Sequence, residues 1–334
     1  MERISKDNVG SLDLDAFVDA VRGIYSVKDK ERSVWDVWLH AKHHAAAIGE
    51  EIRKHKPGEE LLYEIADFSM WLFTFVGKIK GTFEIEPTIG KVAESTIRTE
   101  KESSDIIWNK YPRICPTCFW RRSNNSSVLE GAEFSRTCDC LLYDVETRNQ
   151  ETKRSRVRKL RKYANARENY EKKPRTVDLW QDMFGEIFEA NLRHLGLVDI
   201  GFHLLEEVGE VSDAMVRMYT YTNDFKEGEP TWRQIWLEEE IADVFSWLFT
   251  LVNSLQMIPD IAEAYIKYIS EDFELPKHQI KLSRIIWRRY GSNDLGKFWC
   301  QLCQEPQCRC KIKLVLGSKD YKTLVKHADV DVLS

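Results

Sequence analysis

Five acidic residues in the second half of the chain stand at helical spacing: Glu206, Glu207 and Glu210 in one segment, Glu240 and Asp243 in another. Side chains three or four residues apart share a helix face, so the spacing predicts two acidic faces. Like charges meeting across a low-dielectric helix interface repel strongly. A hard divalent ion reverses that sign, and Mg²⁺ takes oxygen ligands, keeps several waters and bridges to phosphates. The pattern points to a magnesium site; the plainer alternative is a pair of solvated acidic faces. In the first half Glu64 and Asp67 repeat the second pair, and Glu50 is read opposite Glu210. Ala46 and Ala47 are read opposite Glu206 and Glu207, which makes that copy a decayed relic with a packing role, weak residual metal binding there being left open. His43, read opposite His203, is taken as structural, as is His44.

The elements that must position these residues come from an internal repeat. Glu64–Val76 matches Glu240–Val252 at a constant offset of 176, with nine of 13 positions identical. Ile106-Ile107-Trp108 followed by Tyr111 matches Ile285-Ile286-Trp287 followed by Tyr290, and a Cys-x-x-Cys then a Cys-x-Cys follows each. The same order of features twice is a duplication. Leu61, Ile65, Phe68, Leu72, Phe75 and Ile79 recur at spacings of three and four, as do Leu237, Ile241, Val244, Leu248, Leu251 and Leu255. These are apolar stripes of packed helices. The expected fold is all-α: two tandem bundles, each followed by a small cysteine module. The expected division is 1–111 (degenerate copy), 112–148 (first cysteine module), 149–175 (basic helical connector), 176–291 (second copy) and 292–334 (second cysteine module and tail). Strands are expected only in the cysteine modules. Pro57-Gly58 and Lys226–Pro230 mark turns between the paired helices.

Glu206-Glu207-Val208-Gly209-Glu210 and Glu240-Ile241-Ala242-Asp243 resemble the E-E-x-x-E and E-x-x-D motifs of the MazG-like, all-α nucleoside triphosphate pyrophosphohydrolases. The resemblance covers about 180–255, and 35–79 in degraded form, but not the cysteine modules. The two motifs lie further apart than in the family, which implies an inserted loop near Tyr219 to Trp232. The resemblance implies hydrolysis of a (deoxy)nucleoside triphosphate to the monophosphate and pyrophosphate, with Glu207, Glu210, Glu240 and Asp243 holding Mg²⁺. Glu206 would serve a further metal or orient the attacking water. Family members usually assemble as dimers, so a tandem chain implies an internal pseudo-dimer; further homo-oligomerisation stays open. Trp247, one turn after Asp243, could border a nucleobase or fill an interface.

Cys115, Cys118, Cys138 and Cys140, and then Cys300, Cys303, Cys308 and Cys310, have metal-ligand spacing. Each set suits a closed, structural Cys₄ zinc site; iron–sulfur clusters or pairing between the modules are the alternatives. Lys153 to Arg175 holds eleven Lys or Arg against Glu168 and Glu171. It reads as a solvated helix or as a nucleotide- or nucleic-acid-facing patch, while Phe119-Trp120-Arg121-Arg122 reads as a cluster that stacks a base or packs its module onto the bundle. The composition, 43% hydrophobic and 31% charged with a net charge of −5, is that of a globular protein and gives no general argument for nucleic-acid or membrane binding. Without a signal-peptide core at the start or an apolar run long enough to span a bilayer, a cytoplasmic location is expected. Two rivals to the enzyme remain: a nucleotide sensor or scaffold without turnover, and a zinc-bearing nucleic-acid adaptor.

Overall fold

A computed structural model describes residues 4–29, 32–54, 57–80, 97–116, 165–220, 232–269, 280–292, 294–300 and 303–308. The fold is mostly helical. In chain order the helices are α1 (Leu14–Arg22), α2 (Ser26–Asp29), α3 (Val34–Arg53), α4 (Glu59–Ile79), α5 (Ser103–Lys110), α6 (Val177–Ile187), α7 (Glu189–His194), α8 (Leu197–Thr220), α9 (Trp232–Leu255), α10 (Pro259–Ile269) and α11 (Leu282–Tyr290). Among the described residues the one sheet is a hairpin of β1 (Gly291–Ser292) and β2 (Lys297–Phe298), antiparallel, leading into Cys300.

Local sequence fixes the helix ends. Ser33 accepts from the Asp36 N–H while Asp36 reaches back to the Ser33 N–H, a capping box that opens α3. Gly58, from the turn signal, caps α4. Thr176 caps α6 through the Leu179 N–H. Apolar residues almost encircle α4 and α9, which marks helices surrounded by others rather than lying on a surface. Both run through the core, with Phe68, Leu72 and Phe75 of α4 and Val244, Leu248 and Leu251 of α9 fully buried.

Helix α3 packs on α4, and α8 packs on α9. The two pairs join through α3 and α8, where Trp38 Nε1 donates to Ser212 Oγ at 2.9 Å. Phe73 stacks on Phe245 with ring centroids 5.9 Å apart. At the starts of α1 and α6 the Leu14 N–H donates to Arg175 O and the Val177 N–H to Leu12 O, an antiparallel bridge between the halves.

The last described helix of each half lies on the other half. Helix α5 packs against α9, and α11 packs against α4. Ser104 anchors the start of α5 to Asp15, its N–H 3.0 Å from Oδ1. Trp108 Nε1 ties the same helix to Arg167 O at 2.7 Å. For α11, buried Gln181 of α6 accepts from the Leu282 N–H at 2.9 Å and donates to Asn253 of α9 at 2.9 Å. A division at residue 111 therefore does not separate two independent packing units.

Of the basic connector, the described part holds a short helix at 165–168, a 3-10 turn at Tyr170–Lys172 and an extended entry into α6, so this stretch is no continuous helix. Residues 117–164, with Cys118, Cys138, Cys140 and the Phe119–Arg122 cluster, lie outside the described residues, as do 221–231 and Cys310. No described helix is long and apolar enough to cross a membrane.

Candidate functional site

The two acidic segments form facing surfaces of α8 and α9. Glu207, Glu210 and Glu240 converge, with one carboxylate oxygen of each lying within 4.8 Å of the others. Glu240 is buried and Glu207 half-buried, while Glu210 is on the open side. Trp236 Nε1 donates to Glu240 Oε1 from one turn earlier on the same helix. Asp243 closes one edge. Its Oδ1 accepts from Tyr111 OH at 2.6 Å, and its Oδ2 pairs with Lys110 Nζ. Both partners come from the end of α5, in the first half of the chain.

This is an electrostatically frustrated cluster. Burial, reinforced by the charges of Asp243, Glu210 and Glu240, pushes Glu207 up to about 8. Burial also lifts Glu240 to about 7, with Lys110 opposing and Asp243 and Glu210 adding. Asp243 is raised by burial against the pull of Lys110. Desolvation and like charges both favour the protonated carboxyl. A divalent cation in the cluster would relieve both, and an all-oxygen donor set suits Mg²⁺.

A pH dependence follows. The folded value of Glu207 lies above its ordinary 4.5, so between those values the folded chain holds a proton that the unfolded chain has released. Stability from this group is therefore lost as pH rises from about 4.5 and is fully lost above about 8. With no divalent ion added, the melting temperature is expected to fall between pH 5.5 and 8.5. Glu207→Gln should flatten that slope, and Mg²⁺ should raise the melting temperature more at pH 8.5 than at pH 5.5.

Glu206 does not join the cluster. Its side chain is 61% exposed and contacts His203 Nδ1 at 3.2 Å. Trp247 is stacked with His203, centroids 4.4 Å apart, and with Phe188 at 6.0 Å. The ring of Trp247, half-buried, is thus held by stacking contacts within the protein.

In the first half, Trp71 is stacked with His40 at 4.3 Å and with Tyr25 at 6.0 Å. Trp71 and Trp247 are equivalent in the repeat, so His40 answers to His203. Helices α3 and α8 therefore correspond at an offset of 163, not the 160 read from the acids. Buried positions agree: Val37 with Ile200, Ala41 with Leu204, Ala45 with Val208, Ile48 with Val211. The counterparts of Glu206, Glu207 and Glu210 are then His43, His44 and Ala47, which corrects the pairing with Ala46, Ala47 and Glu50. The misreading was a three-residue slip, which turns a helix only about 60° from register and so leaves the apolar stripe nearly in phase. His44 Nδ1 lies 2.8 Å from Glu64 Oε2, and His44, Glu64 and Asp67 form a second convergent group. Asp67 receives Arg289, Nε to Oδ1 at 3.0 Å and Nη2 to Oδ2 at 3.1 Å, and Tyr290 OH on Oδ1 at 2.5 Å. Arg289 and Tyr290 stand in α11 where Lys110 and Tyr111 stand at the end of α5. The sequence carried the signal, a basic–Tyr pair after each Ile-Ile-Trp, without showing where the pair goes.

Cys300, Cys303 and Cys308 form a third group, with sulfurs within 4.8 Å of one another, which could hold a metal such as zinc. The Gln304 N–H donates to Cys300 O, and Gln304 sits in the left-handed region at φ 54°. The module is docked on the first half: the Cys308 N–H donates to Ile24 O at 2.7 Å, and Tyr25 OH reaches Cys300 Sγ at 3.9 Å. Cys115 is buried.

The chain matches no protein-family model, and comparisons with curated proteins and with solved structures find no match either.

Proposed function

We propose that the chain is a Mg²⁺-dependent nucleotide pyrophosphohydrolase of the MazG-like kind, a tandem duplication folded as an internal pseudo-dimer with its active site between α8 and α9. The substrate is a nucleoside or deoxynucleoside triphosphate, and the products are the monophosphate and pyrophosphate. The observation carrying this reading is the convergence of Glu207, Glu210 and Glu240, with two of the carboxyls driven far above their ordinary range. Glu207, Glu210, Glu240 and Asp243 would hold the ion. When bound, it supplies charge neutralisation on the phosphates and lowers the pKa of an attacking water.

The chain's own groups do the rest. Tyr111 fixes the orientation of Asp243 through Oδ1. Lys110, a compact charge on a flexible stem, offsets Asp243 in the ion-free chain and is within the site to meet an anionic polyphosphate. Carboxylates of the same cluster are placed to accept the proton that water gives up. Because α5 brings Lys110 and Tyr111 to Asp243, such a site would draw on both halves of the chain.

The test is a panel of nucleoside and deoxynucleoside triphosphates incubated with and without Mg²⁺, with products separated by chromatography. Monophosphate and pyrophosphate in equal amounts, only with Mg²⁺, is the expected result. Release of orthophosphate would contradict the reaction type. Nucleotide binding without product would favour a sensor, a reading consistent with Lys110 already occupying Asp243.

Both cysteine groups are proposed as structural Cys₄ zinc sites. Because the second is docked on Ile24 and Tyr25, zinc there would clasp the end of the chain to the first half. Removing zinc with a strong chelator is expected to lower the melting temperature by at least ~5 °C, and metal analysis of the untreated protein should give at least two zinc ions per chain.

A further inference from the structure

We propose that the first half holds a second metal site of a different chemical class, in which His44, Glu64 and Asp67 bind a divalent transition ion such as Mn²⁺, Co²⁺ or Zn²⁺ in preference to Mg²⁺. One ligand atom from each residue lies within 4.8 Å of the others. The side chains are well sequestered, at 14% exposure for His44, 15% for Glu64 and 11% for Asp67. They come from two packed helices, α3 and α4, which fixes their approach.

The corrected register gives the site its meaning. Where the second half places Glu207, the first places an imidazole, and where it places Glu210, the first places Ala47. The donor set changes from carboxylates alone to one nitrogen and two carboxylates. Imidazole suits borderline transition ions and not Mg²⁺, which demands oxygen. Ala47 supplies no donor, so three protein ligands leave coordination positions for water or an incoming group, the pattern of open metal sites. Arg289 and Tyr290 hold the Asp67 carboxylate, with two bonds on Oδ1 and one on Oδ2. Each carboxylate oxygen has two lone pairs, so these bonds leave one lone pair on Oδ2 for an ion and orient the ligand as outer-shell partners do. Two carboxylates against one guanidinium leave a net negative charge for a cation when His44 is neutral. On binding, a neutral His44 offers the lone pair of one ring nitrogen to the ion and keeps its single ring proton on the other nitrogen, so the step needs no net proton release.

The site stands independently of hydrolysis at α8 and α9, and its test does not use activity. Mn²⁺ is added to the full-length protein in a large excess of Mg²⁺, and bound Mn²⁺ is counted by electron paramagnetic resonance, with pulsed measurement of nitrogen hyperfine coupling. A single Mg²⁺-resistant Mn²⁺ per chain, carrying the coupling of a coordinated imidazole, is expected. His44→Gln, which keeps a hydrogen-bonding group near Glu64, should lose both signals. His44→Glu should bind Mn²⁺ that Mg²⁺ now displaces, with no nitrogen coupling. Glu210→Gln should leave the Mg²⁺-resistant ion in place. Absence of Mg²⁺-resistant Mn²⁺ in the unaltered protein, or nitrogen coupling that persists in His44→Gln, would overturn the assignment. The first of these would mean that the His44–Glu64 and Arg289–Asp67 pairs close the cluster without an ion.

Discussion

Replacing Glu207 or Glu240 with glutamine is expected to lower pyrophosphate release by at least ~10³-fold, the scale of losing a group that stabilises charge in the transition state. Fold and function separate cleanly at this position. The Glu207 carboxyl is a liability to the ion-free protein, since burial and three neighbouring acids push it to about 8. Its amide replacement should therefore melt no lower than the unaltered protein at pH 8, and higher in the absence of Mg²⁺. A variant that is more stable and inactive cannot owe its inactivity to unfolding. Glu64→Gln and Glu50→Gln, in the first half, are expected to leave turnover within about twofold. Steady-state release of pyrophosphate across these four variants, with melting curves alongside, checks the set. Equal loss from Glu64→Gln would mean that both halves catalyse.

Arg289→Met should be the most destabilising single change outside the apolar core. Asp67 is buried, and both of its oxygens are taken by Arg289, with Tyr290 as the third donor. Removing the guanidinium strands a carboxylate in a low-dielectric interior, which costs about 3–5 kcal/mol. The cause can be isolated. In Arg289→Met with Asp67→Asn the charge to be stranded is gone, so the double variant should recover a large part of the loss. Denaturant titration of the two singles and the double gives the coupling. A double variant as unstable as Arg289→Met alone would show that Arg289 acts through its packing over Tyr63, whose ring centroid lies 4.8 Å away, and not through Asp67.

Much of the fold was legible because periodicity reports which face of a helix is apolar. The stripes through Leu61–Ile79 and Leu237–Leu255 became α4 and α9, Pro57-Gly58 became the turn before α4, and the strand pair fell at the entrance to a cysteine group. Periodicity does not report which partner covers that face. The exchange of α5 and α11 between halves was therefore invisible, and with it the delivery of Lys110 to Asp243 and Arg289 to Asp67. The acids of the candidate site were legible as i, i+3 and i, i+4 spacings. The role of His44 was not. Matching acid to acid aligned Glu50 with Glu210, and only the twin stacks of His40 on Trp71 and His203 on Trp247 set the true register. Trp247 illustrates a further limit: spacing placed it on the carboxylate side of α9 but could not show that His203 and Phe188 already stack with it.

The convergence of acids on α8 and α9 as a seat for a divalent ion is best tested by crystals of the full-length protein soaked in Mn²⁺ and measured for anomalous scattering. The expected map shows a peak about 2–2.3 Å from carboxylate oxygens of Glu207, Glu210 and Glu240, with Lys110 withdrawn from Asp243. A map without density between these carboxylates, and with Lys110 still paired to Asp243, would contradict the assignment.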